Sequence, residues 1–152
     1  MIITIEISTL NLWRNRFWFY CLLNENLNQF SLQFLEKELT SCFSKTTGFN
    51  VQYEEDSFDS SEKHLLLSWA NWWIRVFYET GQHIIDDSMK IVTYAEPSRA
   101  KDFFNINKRI VVKFADDKSK NYTNHTILML DYLEDIENII IFNPQNNTFF
   151  ES

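Results

Sequence analysis

The chain has 152 residues, a formal net charge of −7 and a hydrophobic content of 45%, which together fit one globular domain. It contains only two glycines, Gly48 and Gly81. Phosphate-binding loops, dinucleotide fingerprints and nucleophile elbows each need several closely spaced glycines, so these sites are excluded and no cofactor is expected.

The first predicted elements are two strands. Ile3, Ile5 and Ile7 alternate with polar residues, which predicts a strand with one buried face. Residues 16–23 are rich in aromatic side chains, which favours a strand that pairs with the first, although Trp13, Phe17, Tyr20 and Cys21 also fit the stripe of a helix. A first strand that contains Glu6 is unlike a secretory signal, and no apolar run is long enough to span a bilayer. We therefore expect a cytoplasmic protein with no membrane partner.

The middle of the chain contains the patterns that favour helices. From Ser31, apolar residues recur at three- and four-residue steps, which predicts a helix that ends before Gly48. Residues 49–53 then alternate like a short strand. Residues 62–79 show the strongest helical spacing of the chain, and Gly81 is placed just past the end of that predicted helix.

The C-terminal part reads mainly as strands. Residues 90–94 are a predicted strand, and Pro97 opens a predicted short helix. Further predicted strands, separated by polar turns, lie at residues 109–115, 125–132, 138–142 and 149–150. The predicted fold is a single α+β domain over residues 1–152, with a largely antiparallel sheet, two main helices and a C-terminal β-meander.

One enzymatic alternative rests on Cys42, His125 and Asn143. Cys21 and Cys42 lie among apolar residues, so we expect free thiols. The order Cys42, His125, Asn143 resembles that of papain-like folds, which implies a thiol hydrolase or deamidase with Asn143 orienting the imidazole. However, Cys42 falls at the C-terminal end of its predicted helix, where the helix dipole raises a thiol pKa. We therefore expect a non-catalytic protein and keep the enzyme as the alternative.

Metal and nucleic-acid sites are not predicted. His64, His83 and His125 are far apart in sequence, and the acidic turns lack the spacing of a calcium loop. Residues 90–120 carry a net charge of +4, but a pI near 4.9 for the whole chain argues against a nucleic-acid partner.

The charge pattern instead predicts a surface for a basic protein. Acidic surfaces attract basic partners by electrostatic steering, and Trp and Arg side chains are enriched among interface anchors. Trp72 and Arg75, at the edge of the predicted helical stripe, are the candidate anchors. The candidate carboxylates form two groups, namely Glu54, Glu55, Asp56, Asp59 and Glu62, and Asp131, Glu134, Asp135 and Glu137.

A small, acidic, single-domain α+β chain of this kind resembles the small bacterial immunity proteins, which neutralise a toxin domain, commonly a nuclease. The resemblance covers size, acidity and architecture and rests on no motif. It implies an inhibitor that binds and occludes a basic toxin domain, as a monomer or homodimer. A third alternative is a homo-oligomeric structural protein that uses its surplus aromatic side chains as a self-interface.

Overall fold

The computed structural model describes residues 17–55 and 62–150. Its strands are β1 (Phe17–Leu22), β2 (Asn50–Glu55), β3 (Lys63–Trp69), β4 (Trp72–Thr80), β5 (Lys108–Phe114), β6 (Ile140–Asn143) and β7 (Thr148–Phe149). Its helices are α1 (Leu32–Phe43), α2 (Gln82–Ile91) and α3 (Thr123–Glu134), with 3-10 helices at Val92–Tyr94 and Pro97–Phe103. The predicted strand at residues 3–7 lies outside the described residues.

All these strands form one sheet in the order β2-β3-β4-β5-β1-β6-β7, and every neighbouring pair is antiparallel. The predicted α+β class, with helices packed on an antiparallel sheet, is confirmed. The predictions of β1, β2, β5, β6, β7 and the short helix after Pro97 are also confirmed, to within a few residues at the ends.

Helix α1 forms where its sequence predicts. The side chain of Ser31 accepts a hydrogen bond from the backbone N–H of Phe34 at 3.0 Å, which satisfies one of the free donors at the helix start. Leu35, Leu39 and Phe43 recur every four residues and are fully buried against the sheet. Burial of this stripe supplies most of the stability of a helix this short.

The helix predicted at residues 62–79 is wrong, because this segment is the hairpin of β3 and β4. Leu65, Leu67 and Trp69 alternate with half-buried residues, so the true period is two. Large apolar side chains also lie on the other face of these strands. Apolar residues from both faces together give a spacing that resembles the apolar stripe of a helix. Ala70 and Asn71 form the turn that lets Trp69 pair with Trp72.

Three further predictions are corrected. Residues 125–132 lie in helix α3 and not in a strand, because Met129, Leu130 and Leu133 are buried at helical spacing. Residues 90–94 end helix α2 and form a 3-10 turn. Gly81 does not follow a helix but precedes α2, with a φ of 124° that favours glycine.

The two faces of the sheet have different environments. On one, the helix-covered face, α1 and α3 pack over the main core. The opposite face is covered in part by α2 and the second 3-10 helix, which bury Leu22, Ile140 and Phe142. The remainder of that face, here called the aromatic face, carries Trp18, Tyr20, Trp73 and Phe77 together with Arg75, Arg109 and Lys113.

Candidate functional site

The first predicted acidic group is divided by the sheet. Glu54 lies on the aromatic face, where its Oε1 accepts a hydrogen bond from Nε of Arg75 at 2.9 Å and lies 2.8 Å from Nε2 of His64. The hydrogen bond from Arg75 is the main cause that lowers the pKa of Glu54, against the opposing effect of burial. Glu55 and Glu62 are exposed at the ends of β2 and β3. The charge of Glu54 is therefore compensated within the protein.

Asp56 and Asp59, the remaining members of the first group, lie outside the described residues. Of the described members of this group, Glu55 and Glu62 are exposed to solvent. They occupy the two ends of the chain segment 55–62, and Glu62 also lines a cavity on the aromatic face together with Trp18 and Phe77.

Of the two predicted anchors, Trp72 is buried and Arg75 is half-buried on the aromatic face. Trp72 is only 2% exposed, donates its indole N–H to the carbonyl of Ala115 at 3.0 Å and stacks on Tyr122 at 4.8 Å. The guanidinium of Arg75 lies 4.2 Å from the ring centre of Trp73 in addition to its bond with Glu54. The prediction of Trp72 as a surface anchor is wrong because β4 directs this side chain into the main core.

The three residues of the thiol-enzyme alternative are carried on separate elements. His125, on the first turn of α3, packs against Trp69, Trp72 and Tyr122. Asn143 ends β6, three strand spacings or about 14 Å across the sheet from β4. Its buried amide oxygen accepts the backbone N–H of Gln145 at 2.9 Å. The structure does not bring Asn143 to the imidazole of His125.

Both cysteines are free thiols, as predicted. Cys42 lies near the end of α1, also as predicted, and burial together with the nearby charge of Glu38 raises its pKa. Burial strongly raises the pKa of Cys21, which is fully enclosed. Neither thiol is held in the electropositive surround that produces a reactive thiolate near neutral pH.

His125 lies in an aromatic enclosure rather than in a polar site. Burial lowers its pKa, and the nearby charge of Asp117 opposes that effect only in part. Among the described residues, its Nδ1 has no hydrogen-bond partner. Asp117 is itself occupied, since its two carboxylate oxygens accept the backbone N–H groups of Asn121 and Tyr122.

The second predicted acidic group lies at the end of α3, beside α1. Asp131 and Glu134 are half-buried on the helix, whereas Asp135 and Glu137 are exposed just beyond it. Asp135 and Glu137 line a groove of about 250 Å³ between the two helices, and Glu38 of α1 joins them. We call this the acidic groove.

The floor of the acidic groove is aromatic and apolar. Phe30 and Phe34 meet edge to face with ring centres 5.1 Å apart, and Tyr132 and Ile136 line the α3 side. Among the described residues, the lining contains no lysine or arginine. A groove with an apolar floor and a negatively charged rim is suited to a cationic side chain. The aliphatic part of such a side chain packs on the floor, and its charged end meets the carboxylates.

The pKa values of two neighbouring groups reflect the negative charge of this region. Burial strongly raises the pKa of Tyr132, and the charges of Glu38 and Cys42 raise it further. Glu38 likewise raises the pKa of Cys42. The segments that form the helix layer and its flanks, residues 24–45 and 116–137, contain nine acidic and four basic residues, a net charge of −5. The acidic groove therefore lies in the more negative part of the molecule.

Sequence reasoning found Asp135 and Glu137 but missed Glu38, Phe34 and Tyr132. The available signal was the helical stripe of α1, in which Phe30, Phe34 and Glu38 recur every four residues. By itself this spacing predicts a helix and does not predict a groove beside it. Recognising the groove required knowing that α1 packs beside α3, which the sequence does not state.

Comparisons with protein families, with curated proteins and with solved structures found no match to this chain. Within residues 17–55 and 62–150, no helix is both long enough and apolar enough to cross a lipid bilayer. In the same residues, no cluster of three or more His, Cys, Asp or Glu side chains is placed to hold a metal ion.

Proposed function

We propose that this protein is a non-catalytic binding module that uses the acidic groove to bind and occlude a basic protein domain. The observation that carries the proposal is the convergence of Glu38, Asp135 and Glu137 around the aromatic floor between α1 and α3. None of these three carboxylates forms an ion pair with another residue in the described part of the chain. Their charges are free to meet an external cation.

The binding mode follows from this geometry. The negative helix layer steers a basic partner toward the groove, which raises the association rate at low ionic strength. A lysine or arginine of the partner then places its aliphatic portion on Phe34 and Tyr132 while its charge reaches the carboxylates. A neutralising protein of this kind blocks its partner by covering a basic surface that the partner needs for its own substrate.

The class-level resemblance to immunity proteins favours a toxin domain as the partner. A nuclease is the most fitting case, because a nuclease must present lysines and arginines to bind phosphate groups. Under this proposal the protein acts as an immunity-type inhibitor in the cytoplasm, where it presents carboxylates in place of the phosphates.

The test is binding to toxin domains encoded next to this chain, measured by isothermal titration calorimetry. We expect a submicromolar Kd for the cognate domain. The triple variant Glu38→Gln, Asp135→Asn, Glu137→Gln should weaken binding by roughly tenfold or more, because three rim charges each contribute a fraction of a kcal/mol or more. Raising the salt concentration should weaken the wild-type complex in the same direction.

A matched control has the same change in net charge on the other side of the sheet. Asp86→Asn, Glu96→Gln and Asp102→Asn replace three exposed carboxylates in the segment of α2 and the second 3-10 helix, and the binding constant should be nearly unchanged. Equal losses in the two triple variants would contradict a role for the acidic groove. No submicromolar binding to any neighbouring toxin domain would contradict the inhibitor itself.

Light scattering tests the self-association alternative. A monomer, or a dimer that leaves the acidic groove accessible, agrees with the proposal. A stable homodimer that is lost in the Glu38→Gln, Asp135→Asn, Glu137→Gln variant would instead show that the groove is a self-interface.

A further inference from the structure

A second concave site lies on the aromatic face, on the opposite side of the sheet from the acidic groove. It is a cavity of about 510 Å³, a size typical of small-molecule sites. Its floor includes Val111 of β5, which is paired with Tyr20 of β1 on one side and with Phe77 of β4 on the other. Tyr20 and Phe77 are two strand spacings apart, roughly 10 Å. The cavity therefore spans three strands, a width that a ligand of two small rings can cover.

Trp18 is the aromatic side chain of this cavity that has the fewest partners. The ring of Phe77 is stacked on that of His64 with ring centres 4.4 Å apart, and the guanidinium of Arg109 lies 4.3 Å from the ring centre of Tyr20. Trp18 is half-buried and belongs to neither hydrophobic core. Within the described part of the chain, its indole meets no other aromatic ring and its N–H has no hydrogen-bond partner. It offers a ligand both a ring surface and a free donor.

The charged residues that line the cavity are two acids and two bases, so their charges sum to zero. Arg109 is only 6% exposed and donates from Nε to Glu79 at 2.6 Å and from Nη1 to Asp87 at 2.9 Å. It is a fixed part of the wall. The other two charged residues, Glu62 and Lys113, form no ion pair with any residue in the ranges 17–55 and 62–150. A carboxylate acceptor and an ammonium donor are therefore available to a ligand.

These polar groups lie beside the aromatic rings and not at separate ends of the cavity. Lys113 is paired with Trp18 across β1 and β5, and its Nζ lies 4.9 Å from the ring centre of Phe77. The hydroxyl of Tyr20 forms no hydrogen bond with a described residue, and it can both donate and accept. A fitting ligand therefore needs apolar surface that is edged on several sides by polar groups.

A ligand of one charge sign fits this lining poorly. An anion that reaches Lys113 shares the cavity with the carboxylates of Glu62 and Glu79, and a cation that reaches Glu62 shares it with Lys113 and Arg109. Like charges placed close together disfavour binding. A hydroxyl group, in contrast, donates to a carboxylate and accepts from an ammonium group. Hydroxyl groups on a neutral ligand can satisfy both signs of charge without repulsion.

We propose that this cavity binds a neutral disaccharide. The C–H face of one sugar ring packs on the indole of Trp18, while hydroxyl groups at the ring edge accept from Lys113 and donate to Glu62. The second ring lies over Val111. This site is independent of the acidic groove and of the proposed inhibitor function, so the failure of either proposal leaves the other standing.

The first experiment titrates the full chain with matched sugars and follows amide and indole N–H resonances by NMR. The neutral probes are cellobiose, maltose, lactose and N,N′-diacetylchitobiose. Cellobiouronate adds a carboxylate to the first of these, and de-N-acetylated chitobiose exposes two ammonium groups on the last. We expect at least one neutral probe to bind with a Kd of roughly 1 mM and to shift the indole N–H of Trp18, and each charged form to bind more weakly than its neutral parent. No saturable binding of any neutral probe at about 20 mM, or tighter binding of a charged form than of its parent, would overturn the proposal.

The second experiment compares two tryptophans of the aromatic face with the neutral probe that binds best. Trp18→Ala should weaken binding by about fivefold or more, the loss typical of a truncated aromatic anchor. Trp73→Ala, at another half-buried position that does not line the cavity, is the matched control and should bind like the wild type. Equal losses in the two variants would contradict the contact between the sugar and Trp18.

A pair of exposed lysines tests the polar contact without disturbing the fold. Lys113→Ala should weaken binding by about threefold, the size expected for one exposed polar contact. Lys118→Ala, an exposed lysine after β5 and outside the cavity, should not change it. Wild-type affinity in both Trp18→Ala and Lys113→Ala would place the sugar elsewhere and overturn the proposal.

Discussion

The two faces of the sheet differ in the ion pairs that their carboxylates form. On the aromatic face, Glu54 is bound by Arg75 and lies beside His64, and Arg109 is bound by Glu79 and Asp87. On the helix-covered face, the carboxylates of the acidic groove between α1 and α3, namely Glu38, Asp135 and Glu137, form no ion pair with the described residues.

This difference separates charges that support the fold from charges that are available for binding. A partly buried carboxylate that accepts a bond from arginine is satisfied, and an external cation must displace that arginine to reach it. A carboxylate on the rim of a groove gives little stability and is available to a partner at once. The role of an acidic residue in this protein therefore depends more on its position in the fold than on whether it belongs to an acidic stretch of sequence.

The largest expected effect compares neighbouring tryptophans that β4 directs to opposite faces. Trp72→Ala should reduce the free energy of unfolding by about 3–5 kcal/mol, because it removes a buried ring and leaves the carbonyl of Ala115 without its donor. Trp73→Ala, at a half-buried position on the aromatic face, should reduce it by about 1–2 kcal/mol. Urea unfolding measures both, and equal losses would contradict the assignment of the two faces.

The next effect is the contribution of Glu54 to the aromatic face. Glu54→Gln should reduce the free energy of unfolding by about 1 kcal/mol at pH 7, because Arg75 and His64 lose a charged partner. The pKa of Glu54 is lowered from its ordinary value of 4.5. The full difference in unfolding free energy between the variant and the wild type should therefore be measured above about pH 4.5. It should shrink as the pH falls through the lowered pKa of Glu54. A difference that persists unchanged at pH 2 would contradict the ion pair.

A smaller effect at higher pH belongs to the helix-covered face. Because burial lowers the pKa of His125 from its ordinary value of 6.5, the unfolded chain binds a proton first as the pH falls. The wild type should lose stability below about pH 6.5, down to the lowered pKa, and be unaffected above it. His125→Phe keeps a ring among the aromatic residues and should lack this loss. Parallel stability curves for the two proteins between pH 7 and pH 5 would contradict the enclosure of His125.

The smallest effect concerns the reactivity of Cys42, beside the acidic groove. At pH 7.5, iodoacetamide should modify Cys42 more slowly than a free cysteine, because burial and Glu38 raise its pKa. Glu38→Gln should speed the reaction modestly, whereas Glu36→Gln, two residues earlier on α1, is the matched control. Labelling of wild-type Cys42 faster than a free cysteine would contradict this account and favour the thiol-enzyme alternative.

The elements that the sequence predicted correctly are those with one clear signal. Ser31 caps α1, Pro97 opens a 3-10 helix, and β5 is a run of apolar and β-branched residues. Residues 62–79 were predicted wrongly because strands with large side chains on both faces conceal the period of two. Residues 125–132 were predicted wrongly because their strand propensity is overridden by packing against α1 and the sheet.

The candidate site was predictable only in part for the same reason. Asp135 and Glu137 stand out as charged residues after an apolar run, whereas Glu38 lies on α1, almost 100 positions earlier. Its role depends on the contact between α1 and α3, which is a tertiary property. For Trp72 the residue type was misleading. Tryptophan is typical of interfaces, but β4 places this side chain in the core.

Hydrogen–deuterium exchange on the complex with the cognate toxin domain tests the acidic groove most directly, because it shows which face the partner covers. The account predicts slowed exchange at residues 27–38 and 132–137, with little change in β4 and β5. Protection confined to β4 and β5 would place the partner on the aromatic face and contradict the central role of the acidic groove.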